Sequence, residues 1–321
     1  MPEVVKNLSS VKATSSFSKP SPSASTDLVR GPTEAALQRI DGGIREFEYT
    51  LRDFERVRTM IYKQAGISLS PVKQDMVYSR LARRLRAKGM TRFVDYLDEL
   101  ERANDPAERE AFVNALTTNL TSFFREAHHF EILADFLRKI SSSGRKPIKI
   151  WCSAASTGEE PYSLAITACE AFGTMTPPVQ ILASDLDTNV LMHGQKGVYT
   201  EDRIERLDRE RVQKFFLRGT GSQEGFVRVR PELQKLLSFR QVNLLDASYG
   251  LQGPFDAIFC RNVMIYFDKP TQYSILEKFV PLLRDDGLLF AGHSENFIHA
   301  AKLFRSMGRT VYEKAGTGPR A

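Results

Sequence analysis

The stretch IWCSAASTGEEPYSLAI, residues 150–166, decides how the chain is read. An apolar run ends in small residues, one glycine follows, and a helical pattern begins. This is a strand–loop–helix turn, the kind of place where doubly wound α/β proteins hold ligands. A phosphate cradle would follow its glycine with a lysine, and a dinucleotide fingerprint would carry three glycines. Here Gly158 is followed by Glu159 and Glu160. Two carboxylates repel a diphosphate and tolerate a cation. The same residues also fit a plain helix start, with Thr157 and Glu160 at capping-box spacing and Pro161 in the first turn.

Working outward, residues from 148 onward alternate short apolar runs with helical stretches. IKIWC, VQILAS, LSFRQVNLL, FDAIFC and GLLFAG read as strands, and YSLAITACEAF, NVLMHGQ and YSILEKFVPLL as helices. That rhythm predicts a mostly parallel sheet with helices on both faces, over residues 148–314. LFRSMGRTVYEKA reads as a closing pair of short strands. Residues 203–242 interrupt the rhythm with a helix, a polar Gly-rich loop and the alternating FVRV, which predicts a small antiparallel insert. Upstream, residues 46–140 carry apolar positions at helical spacing, punctuated by Gly66, Gly89 and NDP at 104–106. They predict a small all-helical domain and a linker. Residues 1–40 are rich in Ser and Pro and poor in large apolar side chains, so they are expected to be a disordered tail. Residues 315–321 read as a short C-terminal tail.

Composition narrows the class. Hydrophobic residues make up 42% of the 321, enough for a proper core. No run of about 18 apolar residues marks a membrane span, and the N-terminus lacks the apolar segment of a secretory signal. Cys152, Cys169 and Cys260 have no paired spacing, which favours neither a disulfide framework nor a zinc site. A cytoplasmic location is expected. The net charge of +6 permits an acidic partner without choosing one.

The other strand ends refine the ligand. The second strand ends at Asp185, where a carboxylate can accept from both hydroxyls of a ribose. Asp187 competes with it as a helix cap. Asn243 follows the third run and can either read an adenine edge or shape a turn. Arg261, Asn262 and Tyr266 follow the fourth, where the reactive part of a ligand belongs. Adenosine without phosphates, joined to a cationic part, describes S-adenosylmethionine.

These residues lie in strings that closely resemble the chemotaxis receptor methyltransferases, the CheR family. The strings are NALTTNLTSFFREAHHF, SAASTGEEPYSLA, ASDLDTNVL, RGTGSQEGFVRVR, GPFDAIFCRNVMIYFD and GLLFAGHSENF, and the resemblance runs over residues 50–314 in order. It implies an all-helical N-terminal domain joined to a Rossmann-like, S-adenosylmethionine-dependent methyltransferase domain with a small antiparallel β-subdomain. It implies methyl esterification of glutamates on the cytoplasmic helices of chemoreceptors, for sensory adaptation. Residue by residue, it assigns Asn119, Thr121, Arg125, Glu160, Asp185, Asn243, Leu244, Arg261 and Asn262 to the cofactor, and places Tyr266 at the reacting centre.

Such a reaction needs no general base, because a glutamate with an ordinary pKa of about 4.3 is already ionised at neutral pH. Arg125 and Tyr266 are expected to orient the acceptor. His128 and His129 are adjacent, which suits no metal pair, so they are expected to be structural, and no metal centre is expected. Glu159 is expected to sit in solvent.

The segment YSRLARRLRAKGM holds five basic residues and no acid. Tyr78, Leu81 and Leu85 share one face, and Arg80, Arg83, Arg84 and Arg86 spread over the rest. These arginines are expected to recognise an acidic receptor helix. The insert offers a strand edge for an extended peptide, and its RGTGSQEG loop resembles family members that hold the receptor's C-terminal peptide there. A monomer is expected, without membrane insertion and without nucleic acid. A nucleic-acid methyltransferase is the main rival, yet NVMIY lacks the prolines that shape an amino-group pocket. A non-catalytic scaffold that binds the cofactor is a second rival, opposed by the intact set Arg125, Glu160, Asp185, Arg261 and Tyr266.

Overall fold

The computed structural model describes residues 39–40, 43–103 and 105–316. The expected N-terminal tail lies almost wholly outside the described residues, as do residues 317–321. Within residues 39–44, two short strands, β1 (Arg39–Ile40) and β2 (Gly43–Ile44), pair antiparallel.

Four helices form the N-terminal layer: α1 (Leu51–Ala65), α2 (Gln74–Lys88), α3 (Phe93–Arg102) and α4 (Pro106–Leu116). Thr50 opens α1 through a reciprocal capping box with Asp53. Gly66 closes it at φ 67°, a left-handed cap that favours glycine. Phe54, Val57 and Ile61 recur at helical spacing and are fully buried with Val77, Leu81 and Leu85 of α2. Leu186 and Tyr266 pack against the same cluster. They come from the strand-end loops of the next domain, so the helical core rests on those loops.

The second domain begins with α5 (His128–Ser142) and β3 (Ile148–Cys152). It continues with α6 (Glu159–Phe172), β4 (Val179–Asp185), α7 (Thr188–Lys196), β5 (Val198–Thr200), α8 (Arg209–Phe215), β6 (Phe216–Arg218) and β7 (Phe226–Val229). It ends with α9 (Pro231–Gln234), β8 (Leu237–Gln241), β9 (Phe255–Cys260), α10 (Lys269–Phe279), β10 (Leu283–Ala291), β11 (Phe304–Gly308) and β12 (Val311–Lys314). The main sheet has the order β11-β12-β10-β9-β3-β4-β8. The strands from β10 to β8 run parallel, and the β11–β12 hairpin adds an antiparallel edge. Alternation along β3 sends Ile148, Ile150 and Cys152 into one core and Trp151 into the other. Both faces are therefore covered, as a parallel sheet requires.

The insert differs from its expected bounds of 203–242. Its antiparallel sheet, β5-β7-β6, starts at Val198 and ends at Val229. Residues 237–241 instead form β8, parallel to β4 in the main sheet. β8 is an edge strand with half-exposed and exposed positions, so its sequence lacks the apolar continuity that marks a central strand. Among the described residues no helix is long and apolar enough to cross a membrane.

Candidate active site

A cavity of about 490 Å³ opens beyond the carboxyl ends of β3, β4, β8 and β9. Every residue that the sequence assigns to cofactor or acceptor lines it: Asn119, Thr121, Arg125, Glu160, Asp185, Asn243, Leu244, Arg261, Asn262 and Tyr266. Ile67, Lys73 and Leu116 from the helical layer line it too. The helical domain thus forms one wall of the site.

The loop after β3 turns on Gly158, at φ 101°. A Cβ there would lie 2.7 Å from the Tyr199 hydroxyl and 2.8 Å from the Gly194 Cα, so only glycine fits. The capping box expected from Thr157 and Glu160 does not form. Gly158 is itself the cap, and the Thr157 hydroxyl donates to Glu159 Oε2 at 2.6 Å. Glu159 is also not in solvent. It is fully buried and paired with Arg203, which reaches it from the insert.

Glu160 is buried beside it. It accepts from Arg261 Nη1 at 2.8 Å and from the Cys152 thiol at 3.3 Å. Burial pushes its carboxyl up, against the opposing pull of Arg261. Arg261 is 3% exposed. Its other arm meets Glu126 Oε2 at 3.3 Å and donates to the Arg125 carbonyl. Glu126, at φ 59°, also accepts from Asn262 Nδ2 at 3.3 Å. Burial raises the Glu126 carboxyl, but Arg261 and Asn262 together hold it below the usual range. Glu295 supports the next turn: its carboxylate accepts from the backbone N–H groups of Asn262 at 3.0 Å and Met264 at 2.8 Å. Sequence reasoning missed Glu126 and Glu295. Both lie inside strings that resemble the family, but no spacing marks their partners.

Asp185 accepts from the N–H of Ser156 at 2.8 Å and of Asp187 at 3.1 Å. Burial pushes it up to about 6. Each oxygen keeps acceptor capacity beyond these bonds. Asp187 caps α7 through the Asn189 N–H, and also accepts from Asn119 Nδ2 at 3.0 Å. Asn243 shapes a turn here. Its Nδ2 donates to the Gln64 carbonyl at 3.1 Å, and its Oδ1 accepts from the Leu245 N–H at 3.0 Å. The Tyr266 carbonyl accepts from the Ser68 N–H at 2.8 Å, and Arg125 Nη1 donates to the Leu120 carbonyl at 3.0 Å. His129 is structural: its Nε2 lies 2.9 Å from the Arg309 carbonyl oxygen. Burial and the nearby Arg261 charge bring it down to about 4, so it is neutral at pH 7.

The four arginines of α2, expected to recognise a receptor helix, divide into two that bind within the helical domain and two that are exposed. Arg80 donates to the Leu116 and Thr117 carbonyls at 3.0 and 2.6 Å, closing the end of α4. Arg84 grips the buried Glu108 with two bonds, at 3.2 and 2.6 Å, and Tyr96 donates to the same carboxylate. Both side chains brace the helical domain because α4 leaves carbonyls and a carboxylate within their reach. Arg83 and Arg86 are exposed, with Arg86 5.9 Å from the Phe47 ring centroid. Among the described residues no cluster of His, Cys, Asp or Glu is arranged to hold a metal.

The chain matches known proteins over both domains. Residues 52–117 match the CheR methyltransferase all-alpha domain, and residues 119–313 match the CheR methyltransferase SAM binding domain. It is 55% identical to Chemotaxis protein methyltransferase 2 of Pseudomonas aeruginosa, over 85% of this chain and 96% of that one. It is 53% identical to the chemotaxis protein methyltransferase of Escherichia coli, over 81% of this chain and 89% of that one. The Salmonella typhimurium protein of that name is 54% identical, over 81% and 88%. Two matched domains in the order the fold displays, and a cavity lined by the residues that the resemblance singles out, lead to one conclusion: the chain belongs to the CheR methyltransferase family.

Proposed function

We propose that this chain methylates glutamate carboxylates on the cytoplasmic helices of chemoreceptors, using S-adenosylmethionine, as a monomeric cytoplasmic enzyme. The observation that carries the reading is the donor set of the cavity. Asp185 keeps acceptor capacity for a ribose diol, and Glu160 lines the same cavity, whose loop has no phosphate cradle. That set fits S-adenosylmethionine, and the volume falls within the range of about 300–1,000 Å³ usual for small ligands.

When bound, S-adenosylmethionine supplies an electrophilic methyl group on a sulfonium. The residues of the chain do the rest. Asp185 and Glu160 bind and orient, Leu244 and Leu116 exclude water, and Arg125 and Tyr266 align the incoming carboxylate. Transfer of that methyl to a carboxylate oxygen would leave a neutral sulfide and a neutral ester, so none of these residues would have to move a proton. Holding the atoms in line can contribute up to roughly 7–11 kcal/mol.

Arg83 and Arg86 offer an acidic receptor helix its cationic contact. The insert, with Leu217 and Phe226 exposed, offers a surface to the receptor's C-terminal peptide. The test is incubation with radiolabelled methyl donor and either receptor-rich membranes or DNA. Label on the receptor that mild base releases as methanol is the expected result. Label on DNA, or base-stable label on protein, would reject the carboxylate acceptor. An absence of any label would reject catalysis in favour of a binding scaffold.

A further inference from the structure

The antiparallel insert grips the cofactor loops at three independent points. Phe123, in the loop that carries Asn119, Thr121 and Arg125, seats edge-on against Tyr199 of β5 and Phe216 of β6, with centroids 5.1 and 5.4 Å apart. The Tyr199 hydroxyl donates to the Thr157 carbonyl at 2.8 Å, beside the tight turn at Gly158. Arg203, in the short turn after β5, pairs with the fully buried Glu159 and donates to the Thr121 carbonyl at 3.1 Å.

The last contact has a counterpart at the next residue of the chain, Glu160, which pairs with Arg261. Glu159 and Glu160 are consecutive, both are buried, and each is neutralised by an arginine from a different part of the chain. Arg203 and Arg261 each use a second N–H on a backbone carbonyl of the same loop, Thr121 for one and Arg125 for the other. Two arginines therefore clamp one loop onto the start of α6, one at the Thr121 end and one at the Arg125 end. Only Arg261 lines the cavity; Arg203 does not.

We propose that Arg203 is a positioning residue for methyl-donor binding, so that the insert, and not the parallel sheet alone, shapes the donor site. Without Arg203, the Thr121 carbonyl loses a charged donor and Glu159 is left buried without its cation. Glu159 adjoins Glu160, and Thr121 itself lines the cavity, so the disturbance falls on donor-binding groups. Arg125 and Tyr266 remain held by Arg261 and by the Ser68 contact.

The inference rests on reading the cavity as a methyl-donor site. Its test is calorimetric titration of S-adenosylhomocysteine into the full chain, with steady-state methylation kinetics alongside. Arg203→Gln should weaken binding by about tenfold, the scale of one lost charge-assisted hydrogen bond. It should raise the donor KM by a similar factor and leave kcat at saturating donor nearly unchanged. Arg203→Lys, which keeps the charge beside Glu159, should recover most of the affinity. Glu159→Gln should weaken binding in the same direction, and it reads the same clamp if Arg203→Gln fails to fold. Variants that melt earlier yet bind S-adenosylhomocysteine like the parent chain would overturn the proposal, because Arg203 would then only pack. A parent chain that takes up no S-adenosylhomocysteine would overturn the donor-site reading first, and this proposal with it.

Discussion

On α2, Arg83 and Arg86 are exposed while Arg80 and Arg84 turn inward onto α4. At the end of β9, Arg261 is buried between Glu160 and Glu126 and also holds a backbone carbonyl. The two regions use one residue type under opposite dielectric conditions. In the cavity an unpaired charge is expensive, so Glu160 is paired with Arg261, Arg261 also holds a backbone carbonyl, and Asp185 takes two backbone N–H groups. At the exposed positions of α2 water screens the charge, so an arginine there needs no buried counter-charge. Removing a charge should therefore cost stability around Arg261, and cost recognition only at the exposed positions of α2.

The largest effect is expected from Arg261→Gln. It leaves the buried Glu160 and the half-buried Glu126 without their cation, and breaking a buried pair in this way costs about 3–5 kcal/mol. Denaturant titration should show that loss, together with lost S-adenosylhomocysteine binding. An unchanged unfolding midpoint would break the contrast at its buried end. Arg125→Ala should lower turnover by about a hundredfold, the scale of a misaligned acceptor, with a far smaller change in donor affinity. Near-normal turnover would remove Arg125 from the acceptor role.

On α2 the contrast sharpens between neighbours. Arg84→Ala strands the buried Glu108 and should cost about 1–3 kcal/mol of stability, with donor affinity intact. Arg83→Ala should change stability by less than about 0.5 kcal/mol. It should raise the KM for receptor, an effect that fades with added salt. Equal stability losses for the two would show that exposure does not separate their roles.

A separate effect is expected from pH. Burial raises Asp185 to about 6, above its ordinary value of 3.8. Donor affinity should fall as pH drops through 6, because a protonated Asp185 accepts less well from a diol. The drop should approach about tenfold per pH unit. Stability runs the other way. A carboxyl raised in the folded state contributes stability that is fully present below 3.8 and lost as pH rises through 6. Asp185→Asn should flatten both profiles, and calorimetry at several pH values reads the first directly.

Much of the site was legible in the sequence because it follows from position along strands. A residue at the carboxyl end of a parallel strand lies at the cavity mouth whatever its neighbours are, which is how Asp185, Asn243 and Arg261 could be found. The inward turn of Glu159 was not legible. An acid at a helix start is usually solvated, and only the insert brings Arg203 over it. The role of Glu126 was hidden for the same reason, as its partners arrive from β9. The insert's bounds slipped because β8 is an edge strand, half-exposed and short of apolar signal.

The sequence by itself determined the order of helices and strands, the faces they bury, the family, and which polar residues stand at the strand ends. Those properties depend on local periodicity and on strings of neighbouring residues. Tertiary structure alone decided which charges are buried and which arginine neutralises which glutamate. Glu160 meets its partner 101 positions along the chain and Glu159 meets its own 44 positions along. Desolvation, which sets the cost of a charge and the need for its partner, is a property of the packed molecule and not of the segment that carries the charge.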